Sequence, residues 1–152
     1  MAFSNSGSSS IWMAFTRIAV GVMFLFFAQY KLMHTEFARH GYESWVRPWV
    51  DTSALYFYRP FLRFTLKHPV IFGFGTGVVE LLIGLSMVLG WYTRVLSVAG
   101  ALFMLNLIFA TWYLPAGSPY WQYLGHELDH ISLLLLFVLF LGHNAGKTLG
   151  LD

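Results

Sequence analysis

The side chains able to do chemistry gather in two places along this otherwise apolar chain. Near its C-terminal end, residues 123–146 read YLGHELDHISLLLLFVLFLGHNAG, which sets His126, Glu127, Asp129 and His130 against a long apolar run. Upstream, VVELLIG places one carboxylate, Glu80, in the middle of another apolar run. Neighbouring imidazoles and carboxylates can hold a metal, pass protons or hydrogen-bond a carbonyl. An ionisable group inside an apolar span is costly in lipid, and it faces the bundle interior by default.

Helical spacing narrows the options for the first cluster. On a continuous helix His126, Asp129, His130 and Leu133 share a face, and Glu127 lies about 100° round from them yet within reach of His130. That geometry makes His130 the hub. Glu127-x-x-His130 has the spacing of carboxylate-bridged di-iron bundles, which need a second such pair and two further carboxylates. Only Glu80 and Glu36 are on offer, so the chain falls short of a di-metal site and no metal ligand is assigned. Haem or chlorophyll needs inward-facing axial ligands, and every histidine stands near the end of an apolar run. A quinone asks for less: one or two hydrogen-bond partners and aromatic walls. His126, His130, Tyr123, Trp121 and Trp112 would supply those at the membrane interface, with His130 and Glu80 in any catalytic role. A hydrogen-bonded polar collar without turnover remains the plain alternative.

Glu80 stands in a stripe of small residues. Gly73, Gly77, Glu80 and Gly84 recur at intervals that share one helical face, which lets a second helix approach closely. Glu80 then needs a counter-ion, and Arg17, Lys31 or a bundle-facing histidine are candidates. Arg17, Lys31, Glu80, Glu127 and Asp129 together form the expected structural ion network. The string GFGTG lacks the preceding strand and following Lys-Ser/Thr of a phosphate loop.

These residues must be positioned by membrane helices. The chain has 152 residues, is 57% hydrophobic and only 11% charged, with a mean hydropathy of +0.62. Soluble domains carry about a quarter charged residues. A helix needs about 20 apolar residues to cross the bilayer. Four runs qualify, at about 11–33, 69–91, 95–114 and 120–142. Short connections after the second and third make those neighbours antiparallel. The expected fold is an all-α integral membrane protein, a single four-transmembrane-helix domain over 11–152 preceded by a flexible polar tail, 1–10. That tail has no basic residue, and the apolar run after it is too long for a secretory signal, so the first span is expected to be retained.

Residues 34–68 differ from the spans. Five Lys/Arg alternate with Trp, Tyr and Phe, Pro48 and Pro60 break any long helix, and FYRPFLRFTLKHP reads as a short interfacial helix. Such a segment anchors the bundle, or covers a ligand pocket, or docks a partner. Its cations would place it in the cytoplasm by the positive-inside rule, yet Arg17, Arg94 and Lys147 mark the opposite end. A net charge of +2 is too weak a bias for nucleic acid. The absence of cysteine excludes disulfides, thiolate-bound zinc and thiol nucleophiles on this subunit.

TRIAVGVMFLFFAQYKL in the first span, VVELLIGLSMVLGWYTR through the second, LFMLNLIFATW in the third and the terminal AGKTLGLD resemble the DoxX/DoxD group over roughly residues 12–152. That group includes the small membrane subunit of thiosulfate:quinone oxidoreductase. Matching landmarks are Arg17, Lys31, Glu80, Arg94, Asn106, Gly146, Lys147, Gly150 and Asp152. Lys147 stands where the family commonly has Arg, and the His126–His130 cluster lies outside the recognised pattern. The resemblance implies a multi-pass subunit of the inner (cytoplasmic) membrane, with both termini cytoplasmic. It would pass electrons from thiosulfate or another donor to quinone alongside other membrane subunits. Without cysteine, any persulfide step falls to a partner. The rival expectation is a non-catalytic scaffold or accessory subunit of a larger respiratory or photosynthetic complex.

Overall fold

A computed structural model of the chain describes residues 6–113 and 117–152. Those residues are almost entirely helical, with no strand among them. Helix α1 (Ser6–Met33) runs through a π-helical turn at Phe37–Gly41 into α2 (Tyr42–Thr52) and α3 (Arg59–Thr65). Helix α4 (Pro69–Leu89) turns sharply into α5 (Thr93–Thr111), then α6 (Tyr120–His126) and α7 (Leu128–His143) follow, and a 3-10 turn spans Ala145–Lys147. Helices α1, α4 and α5 are each long and apolar enough to cross a membrane, and α6 with α7 qualifies only as a pair bent by 69°, which gives three spans, or four when that pair is counted as one. The protein is therefore a helical membrane bundle. Residues 6–10 of the expected tail continue α1, while 1–5 lie outside the described residues, as do 114–116 at the end of the third span.

Period and side-chain size decide the packing. Along α1, Ala14, Arg17, Val20, Gly21, Phe24 and Ala28 are buried, whereas Trp12, Phe15, Phe26 and Tyr30 stay on the outer face. Lipid covers apolar side chains as well as protein does, so close backbone approach through small residues is what holds helices together. The stripe on α4 performs that role against α1. A Cβ on Gly84 would lie 2.8 Å from Leu25 Cδ2 and 3.0 Å from the Gly21 carbonyl oxygen, and one on Gly77 would meet Leu32 at 2.9 Å. Helices α5 and α7 form the other tight pair, with Gly100 facing the Phe137 ring. Between the pairs lies a core of Val20, Phe24, Ile83, Met87, Met104, Phe137 and Phe140, where Phe24 and Phe137 meet edge to face at 5.5 Å.

The ends of the bundle are closed differently. At one end the C-terminal residues fold back: Leu151 and Asp152 donate backbone N–H bonds to the Gly90 carbonyl, both at 2.8 Å. The Asp152 carboxylate then accepts from the backbone N–H groups of Tyr92 (2.6 Å) and Thr93 (2.9 Å) and from the Thr93 hydroxyl. It serves as the N-cap that α5 does not find in its own sequence. Burial alone would push this carboxyl up, but those three donors and the Arg17 guanidinium outweigh it and hold it below the usual carboxylate range. Gly90, with φ +65°, ends α4 in the left-handed region, and its missing side chain makes room for Arg17 and Gly150.

At the other end the 34–68 segment contains more helix than the prolines suggest. Pro48 lies inside α2 rather than ending it, while Pro60 opens α3 in its first turn, where no N–H is needed. Val46, Val50 and Leu62 pack with Ala110 of α5 into a second small core, so the segment is pinned to the bundle. Tyr58 donates its hydroxyl to Asn106 of α5, and burial beside Tyr42 pushes its phenol up to about 12.

Candidate functional site

The fourth span is not the single helix from 120 to 142 that spacing suggested. It breaks at Glu127, which has φ −99° and ψ 12° and serves both as C-cap of α6 and N-cap of α7. His126 and His130 consequently sit on different helices, and the shared face expected for His126, Asp129 and His130 does not form. The break turns the Glu127 side chain inward, to 1% exposure, while Asp129 points outward at 72%. Asp129 occupies the first turn of α7, where a carboxylate suits the positive end of the helix dipole, and it accepts the His130 backbone N–H at 2.8 Å.

Glu127, not His130, is therefore the hub. Its Oε2 lies 2.9 Å from His130 Nδ1, its Oε1 lies 2.9 Å from the Thr111 hydroxyl, and His126 Nε2 stands 3.8 Å from Oε1. Thr111 Oγ1 is also 3.0 Å from Oε2 and 2.8 Å from the Leu107 carbonyl oxygen. One hydroxyl hydrogen thus faces three acceptors. The Thr111 hydrogen can therefore go to the Leu107 carbonyl or to either oxygen of the Glu127 carboxylate. His130 commits Nδ1 to Glu127, which turns Nε2 toward any outside partner.

The aromatic residues expected around a quinone are only partly gathered. Trp112 and Tyr123 stack with ring centres 5.9 Å apart, beside the polar trio. Trp121 and His126 face outward, Trp121 with 69% of its surface exposed. The two cavities described elsewhere, of about 200 and 360 Å³, are lined by other residues. No group of three or more metal-ligating side chains converges among the described residues.

Glu80 finds its counter-ion in Lys31, through a direct ion pair between α4 and α1. Arg17, the other candidate, lies toward the opposite end of α1. It is fully buried, donates from Nη2 to the Leu149 carbonyl at 2.8 Å, and sits electrostatically against Asp152. The expected ion network is thus three separate sites: Lys31–Glu80, Arg17 with the C-terminal fold-back, and Glu127 with its histidines. Lys31 Nζ also lies 5.3 Å from the Phe37 ring centre and 5.9 Å from that of Phe27, placing the cation in an aromatic collar. Glu80 Oε2 is buried with no hydrogen-bond partner among the described residues, as are Arg17 Nε and Nη1. Spacing offered no signal for Thr111, an ordinary threonine at the end of a helix. Gly125, two residues before the break, was the sequence cue for the bend.

Membrane-spanning helices paired through glycine, with buried carboxylates between them, define a polytopic bundle protein with polar sites inside it. The chain belongs to the DoxX family, whose profile matches residues 12–112, about two thirds of its length. No curated protein and no solved structure matches it significantly. The matched region contains Arg17, Lys31, Glu80 and Thr111, whereas Glu127 and His130 lie beyond it.

Proposed function

We propose that the chain is the membrane subunit of a redox complex and manages protons for a quinone beside Glu127 and His130. The observation that supports this is the burial of Glu127 against two proton-bearing partners, with the stacked Trp112–Tyr123 pair alongside. His130 Nε2 hydrogen-bonds one quinone carbonyl and Glu127 relays the proton behind it. Reduction of one quinone to quinol takes two electrons and two protons. The chain has no cysteine, so no thiol of its own takes part, and on this reading the electrons come from a donor on a partner subunit, with thiosulfate or another reduced sulfur compound as source. The setting is the inner membrane, with the end that carries Arg17, Arg94 and Lys147 in the cytoplasm.

The test is quinone reduction by the purified complex. Glu127→Gln and His130→Ala should each slow turnover by roughly 100-fold, within the range for losing a general acid or base, while the complex stays assembled. Unchanged turnover in intact complexes sinks the proposal. A second reading, a non-catalytic accessory subunit, is supported by Lys31–Glu80, a paired charge that needs no ligand. On that reading Glu80→Gln and Glu127→Gln alter assembly alone.

A further inference from the structure

The 34–68 segment holds a feature that the redox reading does not use. Arg47, Val50 and Asp51 recur at i, i+3, i+4 on α2, and Arg63, Leu66 and Lys67 recur at the same spacing at the end of α3. Together these six residues line a groove of about 360 Å³. Its floor is apolar and fixed, because Val50 belongs to the small core on α5 and Leu66 packs against it. Its walls carry three cations and one carboxylate. Arg47 shares its charge with Glu43 one turn earlier, whereas Arg63 and Lys67 take part in no ion pair among the described residues. Arg59, next in the same helix, is already committed to the carbonyls of Asp51 and Ser53 and stays out of the groove.

Position supplies the partner. The chain enters this segment directly from the end of α1 and leaves it directly into α4, so the groove sits where two membrane spans reach the interface. Trp45, Tyr56, Phe57, Phe61 and Phe64 of the same segment are exposed around it, as in an interfacial aromatic belt. A groove with unpaired cations at headgroup depth and an apolar floor complements a phosphodiester attached to acyl chains. We infer that the α2–α3 groove binds the headgroup of an anionic phospholipid, with Arg63 and Lys67 on the phosphate and Val50 and Leu66 against the glycerol and upper chain. Two of the segment's five cations, Arg63 and Lys67, then serve lipid recognition.

The full chain reconstituted in phosphatidylcholine nanodiscs, with a trace of spin-labelled phosphatidylglycerol or spin-labelled phosphatidylcholine, reads this directly. The wild type should immobilise the anionic label preferentially. Arg63→Gln with Lys67→Gln should lower that preference by roughly 5-fold per cation removed. Arg94→Gln with Lys147→Gln, at the other end of the bundle, should leave it unchanged. Asp51→Asn removes the groove's one carboxylate and should raise the preference, so it reads the inference even if the double variant misfolds. Equal retention of both labels by the wild type overturns the inference, as does an equal loss in the Arg94/Lys147 control. Displacement of the label by inorganic phosphate overturns the lipid assignment, and so does an unchanged lipid preference in the folded double variant.

Discussion

Glu80 sits midway along an unbroken helix against a lysine, whereas Glu127 sits at a break between two helices against an imidazole and a hydroxyl. The first pair joins α1 to α4 inside the region matched by the family profile, and the second joins α5 to α7 mostly outside it. Both carboxylates are buried, so burial alone does not distinguish them. Their partners do. Lys31 is a compact cation beside two aromatic rings, and it engages one oxygen of Glu80, leaving Oε2 without a hydrogen bond among the described residues. His130 and Thr111 can each hold or yield a hydrogen, and the network around Glu127 has two arrangements that satisfy it. One carboxylate ties two helices through a cation; the other ties two helices through an imidazole and a hydroxyl.

The largest effect should come from opening the ion pair. Glu80→Ala leaves the half-buried Lys31 without its counter-ion; removing one partner of a fully buried pair costs about 3–5 kcal/mol, and the part of Lys31 that stays exposed places this loss at or below the lower end of that range. Unfolding of the purified protein in mixed micelles, followed by helical circular dichroism, measures it. Replacing both partners, Lys31→Leu with Glu80→Leu, should restore most of that stability, because the pair does no more than hold helices. If the double variant stays as unstable as the single one, Lys31–Glu80 has a further partner and the contrast with Glu127 weakens.

Next come the glycine contacts that each half depends on. Gly84→Leu forces a side chain into Leu25 and the backbone of α1, and overpacking of this kind costs about 1–3 kcal/mol. Gly75→Leu, on the same helix but with nothing within 4 Å of its Cβ, should be near neutral in the same unfolding assay. Glu127→Gln should fall in the same range or below, about 1–2 kcal/mol, since an amide oxygen still accepts from Thr111 while the charged bond to His130 is lost. The two halves then separate cleanly: stability falls most with Glu80, quinone turnover with Glu127.

How much of this was legible beforehand follows the physics of each feature. The spans were readable because lipid demands long apolar runs, and the stripe Gly73–Gly77–Glu80–Gly84 because small residues on one face have no other use in a membrane helix. Lys31 stood among three possible partners for Glu80, and only the register between α1 and α4 chose it over Arg17. The break at Glu127 had only Gly125 as a local cue, and the contact that accompanies it, with Thr111, lies sixteen residues away in sequence. Pro48 misled in the other direction: α2 continues through it, with Val46 and Val50 buried against Ala110 of α5.

The two halves meet at the C-terminal fold-back, where the smallest effect is expected. The Asp152 carboxylate binds the start of α5, its backbone N–H binds Gly90 at the end of α4, and Arg17 of α1 binds Leu149 nearby, so this one residue links both helix pairs. Its carboxyl is held below the usual carboxylate range in the folded state, so it binds fewer protons folded than unfolded. Docking is then complete at pH values above that range and weakens as pH falls through it toward the depressed value. The group is exposed enough for water and salt to screen it, so the change in global stability should be slight. Backbone exchange reads it better: the Leu151 and Asp152 N–H groups should lose protection on acidification while those in the middle of α4 and α5 keep theirs. Asp152→Asn should show the unprotected pattern already at neutral pH. If those two amides stay protected in Asp152→Asn, the bonds to Gly90 hold the C-terminus without the carboxylate, and the halves are joined by the Phe24–Phe137 core alone.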